Sequence, residues 1–462
     1  MPIAKDRLPI LYLVLASYLM LVIDVSIVIT GLPRIQDSLG FSAAGLSWVH
    51  SAYTLTFGGF LLIGARAGDL LGRRRIFITG LWIFTLTSVV IALAPTAGVM
   101  VAGRAVQGLG AAILAPATLA LLTVHFPEGA ERTQALSLYG ATAGVAASIG
   151  LVLGGLLADW VSWRAGFFLN LPVGLALIAG ARRYVAETDR HRGQFDLPGA
   201  VCSTLGMGGL VFGLVHAAEA GWMQSLTIAA LASGVLLLSV LLWHERRAAQ
   251  PIMPLALFAD RSRSGALLAR MFYLGAMVGF WFFTSQFLQG SLGFSASATG
   301  ISFLLTAVPQ FAAAMVVPRI SRRFGSWPVL LAGMGLTLMA MAGMMMAVSA
   351  DAGIWSIAAP MVGLGIGQGL TLSPLTVVSV AGVPAERAGA ASGLVNAAHQ
   401  LGGTLGLAVL VVVFSHALPP EATGHTALAQ RIGAVFAAGT VLLMLATGVI
   451  GILVLLRRTG RG

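Results

Sequence analysis

Two ionisable residues of opposite charge lie inside apolar stretches of this 462-residue sequence. Asp24 interrupts the first stretch, Arg104 interrupts the fourth, and Gln107 follows Arg104 by one helical turn. Burying either charge is costly, so such residues usually mark a pathway for ions or protons. We expect Asp24 to carry protons, with Arg104 and Gln107 completing a proton-coupling site. The alternative is a structural ion pair that fixes two helices.

A short charged stretch, ARAGDLLGRRR, separates two further apolar stretches at Ala65–Arg75. Gly72 permits a tight turn, and the arginines after it cannot enter an apolar phase. The spacing of the acid, the glycine and the arginines predicts a gate element formed by Asp69, Gly72, Arg73 and Arg74. The simpler interpretation is an ordinary positively charged loop.

Polar and small residues in later stretches are candidates for substrate contact and for helix packing. The substrate-cavity candidates are Trp281, Gln286, Gln289, Asn396 and His399. Amides in membrane helices more often hydrogen-bond a neighbouring helix, and an isolated histidine is more often a satisfied polar residue. A segment rich in glycine suits close helix contact, and comprises Gly150, Leu151, Gly154 and Gly155.

Signals of enzymatic chemistry are missing from the sequence. It contains no H-E-x-x-H pair, no phosphate-binding loop and no serine in a nucleophile elbow. The single cysteine, Cys202, excludes a cysteine metal cluster and a disulfide framework. We therefore expect a protein that is not an enzyme, binds no metal or cofactor, and draws its energy from an ion gradient.

Composition defines the structural class. Hydrophobic residues make up 58% of the chain and charged residues only 9%, against about 25% charged in soluble domains. This predicts an all-α, polytopic membrane protein. The net charge of +11 lies in short loops between apolar stretches, which sets orientation in a bilayer and argues against nucleic acid as a partner.

Apolar runs of the required length predict fourteen membrane spans. Their approximate bounds are Leu8–Thr30, Leu46–Gly64, Ile76–Leu93, Val99–Thr123, Ala135–Leu157, Ala165–Ala181, Leu197–Ala217, Leu226–Trp243, Leu267–Phe287, Gly300–Pro318, Val329–Ala347, Ile354–Leu375, Ala388–Phe414 and Ile432–Leu456.

The distribution of basic residues predicts the orientation of these spans. With the N-terminus in the cytoplasm, the outer loops hold only Arg34, Arg164 and Arg431, and Arg104 is left within a span. All other lysines and arginines then fall in inner loops and tails, including Arg263 and Arg270. Such a bias predicts that both termini are cytoplasmic. It also places Asp24 and Arg104 in the outer half of the membrane.

An internal repeat divides the chain. Glu131-Arg132-x-x-Ala-x-Ser recurs as Glu386-Arg387-x-x-Ala-x-Ser, each time before a glycine-rich span. Parallel repeats of this kind place a substrate site near the midplane in one large class of transporters. We predict a six-helix bundle at 1–184, a linker with two extra helices at 185–263 and a second six-helix bundle at 264–462.

Several segments together give a family resemblance. They are IDVSIVITGLP at Ile23–Pro33, ARAGDLLGRRR, RAVQGLGAA at Arg104–Ala112, GLVLGG at Gly150–Gly155, SWRAGFFLNLPVG at Ser162–Gly174 and DLPGA at Asp196–Ala200. The chain resembles the major facilitator superfamily and, within it, the fourteen-helix drug:proton antiporters. In the antiporter segment Leu151 replaces the usual proline.

The resemblance implies a major facilitator fold with a 6+2+6 arrangement of helices. It also implies export of a hydrophobic or amphipathic drug or antibiotic in exchange for protons, by alternating access. The expected partners are that small molecule, protons and the lipid bilayer, and the expected location is a bacterial inner membrane, as a monomer. The alternatives are a facilitator or a proton symporter, which Leu151 keeps open, and a membrane sensor or scaffold without transport.

Overall fold

The computed structural model describes residues 7–126, 130–187, 196–248, 255–348, 353–381, 383, 388–419 and 423–459. This part of the chain is built from α-helices and short connections. The helices are α1 Leu8–Leu39, α2 Trp48–Leu71, α3 Arg73–Ala92, α4 Ala97–His125, α5 Ala130–Trp160, α6 Trp163–Phe168, α7 Asn170–Tyr184, α8 Leu197–Ala220, α9 Ser225–Glu245, α10 Arg261–Gln286, α11 Ala296–Ser302, α12 Leu304–Phe324, α13 Ser326–Ala347, α14 Ile354–Val380, α15 Ala388–His416 and α16 His425–Thr459.

Twelve helical segments in the described residues are long and apolar enough to cross a membrane. Two of them are each formed by a pair of short consecutive helices, α6 with α7 and α11 with α12. Helices α2 and α5, of 24 and 31 residues, lie in addition to these twelve. The all-helical polytopic class predicted from composition is confirmed, whereas the total of fourteen spans and the cytoplasmic position of both termini stay predictions.

Two helix boundaries differ from the predicted spans, and each shift has a local cause. Helix α1 continues through Pro33 to Leu39, and it ends where Gly40 adopts a left-handed conformation with φ of 68°. Helix α10 begins at Arg261 because the Asp260 side chain accepts a hydrogen bond from the backbone of Arg263. A cap of this kind starts a helix before its apolar run begins.

Helix α10 contains two arginines that had been counted with an inner loop, and Arg270 among them also fell within the predicted span Leu267–Phe287. Arg263 and Arg270 were expected in an inner loop, but both lie in α10 and are only 7% and 3% exposed. Arg270 follows the first residue of α10 by nine positions, which is about 13 Å along the helix at 1.5 Å per residue. The expectation that Arg104 is the only base well within a span was therefore wrong.

The helix pairs of the first seven helices recur in the last seven. In the first half α1 packs on α5, α2 and α3 both pack on α4, and α3 packs on α7. In the second half α10 packs on α15, α12 and α13 both pack on α14, and α13 packs on α16. The same pairing order in two halves is the three-dimensional form of the repeat seen in the sequence.

Helices α8 and α9 lie outside both halves. Helix α8 packs on α2 of the first half and on α15 of the second, and α9 packs on α8. The contact of α8 with α2 is close, since a Cβ placed on Gly59 would overlap the Thr204 side chain. Helix α9 is the most exposed of the long apolar helices described, since only 17% of the residues in its most apolar stretch are buried.

The two halves touch where α2 packs on α15 and where α1 and α5 pack on α10 and α11. We call the end at which α1 begins the proximal end and the opposite end the distal end. At the distal end the Asp159 carboxylate of α5 accepts hydrogen bonds from the backbone amides of Ala296 and Ser297, at 3.1 and 2.7 Å. The Ser285 hydroxyl of α10 donates to the Ile29 carbonyl of α1 at 2.7 Å. In the described residues, these contacts close the distal end between the halves.

Candidate functional site

Asp24 and Arg104 are in direct contact in the interior of the first half. The Arg104 Nη1 atom donates to Asp24 Oδ2 at 2.7 Å. Both side chains are almost fully buried, with Asp24 2% and Arg104 0% exposed. Because α1 extends to Leu39, Asp24 lies near the middle of its helix. It was expected nearer the outer end.

Both carboxylate oxygens of Asp24 are enclosed by hydrogen-bond donors. Gln107 Nε2 and Asn170 Nδ2 donate to Asp24 Oδ1 at 2.9 and 2.7 Å. The same two amides donate to the Ser88 hydroxyl at 2.8 and 3.1 Å. The Gln107 side-chain oxygen accepts from Arg104 Nη1 at 2.6 Å. Helices α1, α3, α4 and α7 thus meet in one polar network, in which each side chain has a partner from another helix.

The Arg104 guanidinium is also held by the backbone and by an aromatic ring. Its Nε atom donates to the Val49 carbonyl at 3.0 Å, and its Cζ atom lies 4.3 Å from the centre of the Tyr53 ring. A cation over an aromatic face is attracted by the ring quadrupole. Within the described residues, the buried Nη2 atom has no hydrogen-bond partner. One Arg104 donor next to the Asp24–Arg104 ion pair is therefore without a hydrogen-bond partner in the described residues.

The structure brings Asp24, Arg104 and Gln107 together, and it adds Ser88 and Asn170 to them. The sequence offered a signal for Asn170, an amide inside an apolar span, but such residues are common in membrane helices. As a proton carrier, Asp24 would need a route to water. In this conformation it is instead enclosed, so a proton reaches it only when the network opens.

The predicted gate element turns at Gly72, and it binds a carboxylate, Glu187, that the sequence did not indicate. Gly72 joins α2 to α3 with φ of 103°, a conformation that favours glycine. The Glu187 carboxylate accepts hydrogen bonds from the backbone amides of Arg74 and Arg75 at 3.1 and 3.2 Å. It thereby satisfies free donors at the start of α3, where the helix dipole favours an anion.

The other members of the gate element are placed as follows. Arg74 Nη2 donates to the Arg182 carbonyl of α7 at 2.7 Å, and Arg73 Nη1 donates to the Ala120 carbonyl of α4 at 3.3 Å. Asp69 belongs to α2 by its backbone, and its side chain lies outside the described part of the structure. The arginines therefore tie the α2–α3 turn to two other helices of the first half.

The glycine-rich segment of α5 packs on helices of both halves. A Cβ on Gly150 or Gly154 would lie 2.7 Å from the Ser26 Cβ or 2.6 Å from the Ile27 Cα of α1, respectively. Gly155 faces the Ala296 carbonyl of α11 at a distance that excludes any side chain. The Leu151 carbonyl in turn faces Gly300 of α11, and the Leu151 side chain is 2% exposed. This segment therefore forms the seam between the halves at the distal end.

The five substrate-cavity candidates fall into two groups at different depths. Trp281 and Gln286 lie in the distal part of α10, and Gln289 lies in the turn that follows it. Gln289 Nε2 donates to the Thr30 carbonyl of α1 at 3.1 Å, so it joins the halves. The Trp281 ring packs on Phe303 with ring centres 4.9 Å apart.

Within the described residues, the buried Gln286 amide nitrogen has no hydrogen-bond partner. Asn396 and His399 form the second group, nearer the proximal end of α15, and Asn396 is exposed.

Comparisons with known proteins agree with this architecture. The profile described as Major Facilitator Superfamily matches residues 14–407. The chain is 36% identical to the cephamycin export protein CmcT of Amycolatopsis lactamdurans, over 87% of this chain and 84% of that protein. It is also 36% identical to the puromycin resistance protein pur8 of Streptomyces alboniger, over 95% of this chain and 88% of that protein.

Solved structures with the same fold include a mutant form of the nucleoside transporter NupG. The TM-score is 0.67 at 14% identity, with 96% of this chain and 99% of that chain covered. A structure from a study of proton-dependent oligopeptide transporters gives a TM-score of 0.65 at 15% identity, with 98% and 99% covered. At these identities the likeness concerns the fold alone.

Proposed function

The chain belongs to the major facilitator superfamily, and we propose that it exports a hydrophobic or amphipathic compound, such as an antibiotic, in exchange for protons. Members of this family are multi-pass membrane transport proteins and not enzymes. Relatives that share about a third of their residues with this chain are named for the export of, or resistance to, antibiotics. These names support export as the direction of transport and an antibiotic-like compound as the cargo.

The observation that carries the proton-coupled part of the proposal is the buried Asp24. Its carboxylate lies at mid-helix and is held by donors from two further helices, α4 and α7. Protonation of this carboxylate would remove the charge that Arg104 neutralises and weaken the hydrogen bonds that both oxygens accept. Proton binding at Asp24 would therefore loosen the contacts that join α1 to α4 and α7, which links a proton to a change in helix packing.

The closed distal end supports alternating access as the mechanism. If the proximal end faces the cytoplasm, as the distribution of arginines predicts, this conformation is closed to the outside. A second conformation, closed at the proximal end, would require the contacts of Asp159 and Ser285 with the opposite half to separate. The α2–α3 turn, with Gly72 and Glu187, lies at the proximal end, where such a closure would take place.

Transport into inverted membrane vesicles tests the proposal. The wild type should concentrate an exported compound when a proton gradient is imposed, and Asp24→Asn should lose this accumulation while it still equilibrates the compound. The matched control is Asp37→Asn, which removes an exposed carboxylate from the same helix α1 and should transport normally. If Asp24→Asn accumulates the compound as the wild type does, Asp24 is not the proton carrier.

Leu151 favours a second candidate, a facilitator that moves its compound without protons. The antiporter segment has proline at this position as a rule, and here Leu151 is buried against the second half. A facilitator would equilibrate the compound in the same vesicles with or without the gradient. Failure of the wild type to accumulate any of a panel of compounds would therefore favour this candidate.

A further inference from the structure

A second buried arginine lies in the second half, and its charge is not neutralised within the described part of the chain. Arg270 is 3% exposed in α10, and its Nη2 atom donates to the Thr376 hydroxyl of α14 at 2.5 Å. Its buried Nε atom has no hydrogen-bond partner in those residues. Among the ion pairs between described residues, none joins Arg270 to a carboxylate.

A buried cation with one neutral hydrogen bond is an expensive arrangement. Arginine in an apolar interior normally pairs with an acid or with backbone carbonyls, because its desolvation is otherwise uncompensated. Arg263, nine tenths buried on the same helix, follows this rule, since its Nη atoms donate to the carbonyls of Leu257 and Ala381 at 2.9 and 3.1 Å. Within the described residues Arg270 has neither an acid nor a backbone carbonyl among its hydrogen-bond partners, so its guanidinium can accept an anionic partner there.

The surroundings of Arg270 are built from three helices, α10, α14 and α15. Thr376 of α14 and Asn396 of α15 are both exposed, and His399 follows Asn396 by one helical turn on α15. The Thr376 hydroxyl accepts from Arg270 and donates to the Leu372 carbonyl at 2.8 Å, so it holds the guanidinium in place. The Asn396 amide and the His399 imidazole are the groups here that can donate a hydrogen bond to an anion.

The backbone around this group is held tightly. A Cβ on Gly275 of α10 would lie 2.9 Å from the Gly406 Cα of α15, so only glycine fits at this contact. Met271, the residue after Arg270, packs its backbone against Gly402 in the same way. Two close contacts of this kind, at the residue after the arginine and one turn further on, fix α10 against α15, so the donors keep their relative positions when a ligand binds.

We infer that Arg270, held by Thr376 and assisted by Asn396 and His399, binds a carboxylate or a similar anionic group of the exported compound. The guanidinium can hold a carboxylate with two parallel hydrogen bonds, from donors that now have one neutral partner or none. This inference rests on the proposed export function and names the substrate class within it: amphipathic compounds that carry one negative charge. An anionic lipid headgroup has the same chemistry, and the experiment separates the two sources.

Equilibrium dialysis with the purified full-length protein measures the site without transport. The probes are benzylpenicillin, an amphipathic carboxylate, and its uncharged methyl ester. The wild type should bind the acid at least tenfold more tightly than the ester. Arg270→Gln should abolish that preference and leave ester binding unchanged, whereas Arg270→Lys, which keeps the charge without the planar fork, should retain part of it.

Arg263→Gln is the matched control, since it removes a buried arginine of the same helix whose Nη atoms bind carbonyls. It should change the binding of both probes equally. No preference of the wild type for the acid, or an equal loss of both probes in Arg270→Gln, would overturn the inference.

Two further arms separate this inference from its rivals. After reconstitution in neutral phosphatidylcholine or in anionic phosphatidylglycerol, the protein should show the same preference for the acid over the ester. If phosphatidylglycerol abolishes binding of the acid, Arg270 binds a lipid headgroup, and its role in substrate binding is overturned. Proton-driven transport of the two probes is measured separately. Acid-selective binding without transport would leave the anion site in place and remove the proposed export function.

Discussion

The two halves of the bundle each bury an arginine, and they neutralise its charge to different degrees. Arg104 in the first half contacts the Asp24 carboxylate, the Gln107 side-chain oxygen and the Val49 carbonyl. Arg270 in the second half has the Thr376 hydroxyl as its hydrogen-bond partner in the described residues. Arg104 therefore joins helices within the first half, whereas Arg270 in the second half keeps hydrogen-bond donors that can bind a ligand.

The comparison is tested most strongly by removing each arginine in turn. Arg104→Gln leaves the Asp24 carboxylate buried without its counter-charge, and breaking a buried pair in this way costs about 3–5 kcal/mol. Arg270→Gln removes a charge that no carboxylate of the described residues neutralises, so the ligand-free protein should be as stable as the wild type or more stable. Thermal unfolding of both variants in the same detergent measures the contrast.

The double variant Asp24→Asn with Arg104→Gln serves as the control for this contrast. It removes both charges, so it should be more stable than Arg104→Gln alone. Equal destabilisation by Arg104→Gln and Arg270→Gln would show that both arginines are structural, and the distinction between the halves would fail.

A smaller effect is expected from the amides beside the two arginines. Asn170→Ala removes a donor from buried Asp24 and Ser88, which should cost about 1–3 kcal/mol and reduce proton-driven transport. Asn396→Ala changes an exposed amide in the second half and should alter stability by less than about 0.5 kcal/mol. Urea or thermal unfolding compares the two; a larger loss for Asn396→Ala contradicts the assignment of the buried network to the first half.

The turn glycines of the two halves give the next comparison. Gly72 and Gly325 have φ of 103° and 83°, so replacement of either by alanine should cost about 1–2 kcal/mol. A Cβ on Gly72 would also lie 2.6 Å from a Glu187 carboxylate oxygen, while the nearest atom to a Cβ on Gly325 is Pro328 Cδ at 3.8 Å.

Gly72→Ala should therefore reduce both stability and transport more than Gly325→Ala does. The readouts are thermal unfolding and initial rates of transport in vesicles. Equal losses in the two variants would mean that the contact of Glu187 with the start of α3 contributes little.

The smallest effect is expected at the contact between the halves. Asp159→Asn weakens charge-assisted hydrogen bonds to the start of α11 and should favour opening of the distal end by about 1 kcal/mol, or about fivefold. Labelling of Thr299→Cys by an impermeant maleimide, with Cys202 replaced by alanine, reports this opening because Thr299 is fully buried. The variant Asp37→Asn should leave the labelling rate unchanged; unaltered labelling in Asp159→Asn would show that this carboxylate does not hold the end closed.

The sequence predicted the class of fold and the buried polar residues Asp24 and Arg104 of the first half, and the reasons are physical. The length of the apolar runs indicates helices that cross a membrane, and the cost of burying Asp24 and Arg104 indicates that they meet. Arg263 was misplaced because a span drawn by apolar content starts too late when a polar cap such as Asp260 begins the helix. Arg270 was counted with the inner loop because it lies only three residues inside the predicted span Leu267–Phe287.

Other features could not be predicted, because they depend on how distant segments pack. Glu187 follows α7 in the chain but lies at the start of α3, and nothing in its local sequence indicates this contact. Asp159 meets α11 only once the two halves are assembled. Hydrophobic patterning identifies the helices, but it carries no information on which helix ends meet across the bundle.

The position of α8 and α9 makes the two flanks of the molecule unequal. The halves meet along two seams, one formed by α2 and α15 and the other by α5 with α11 and α12. Helix α8 covers the first seam, and α9 stands beyond it with most of its surface turned away from the protein. A compound dissolved in the bilayer would therefore meet an additional layer of protein in front of the first seam, where α8 lies.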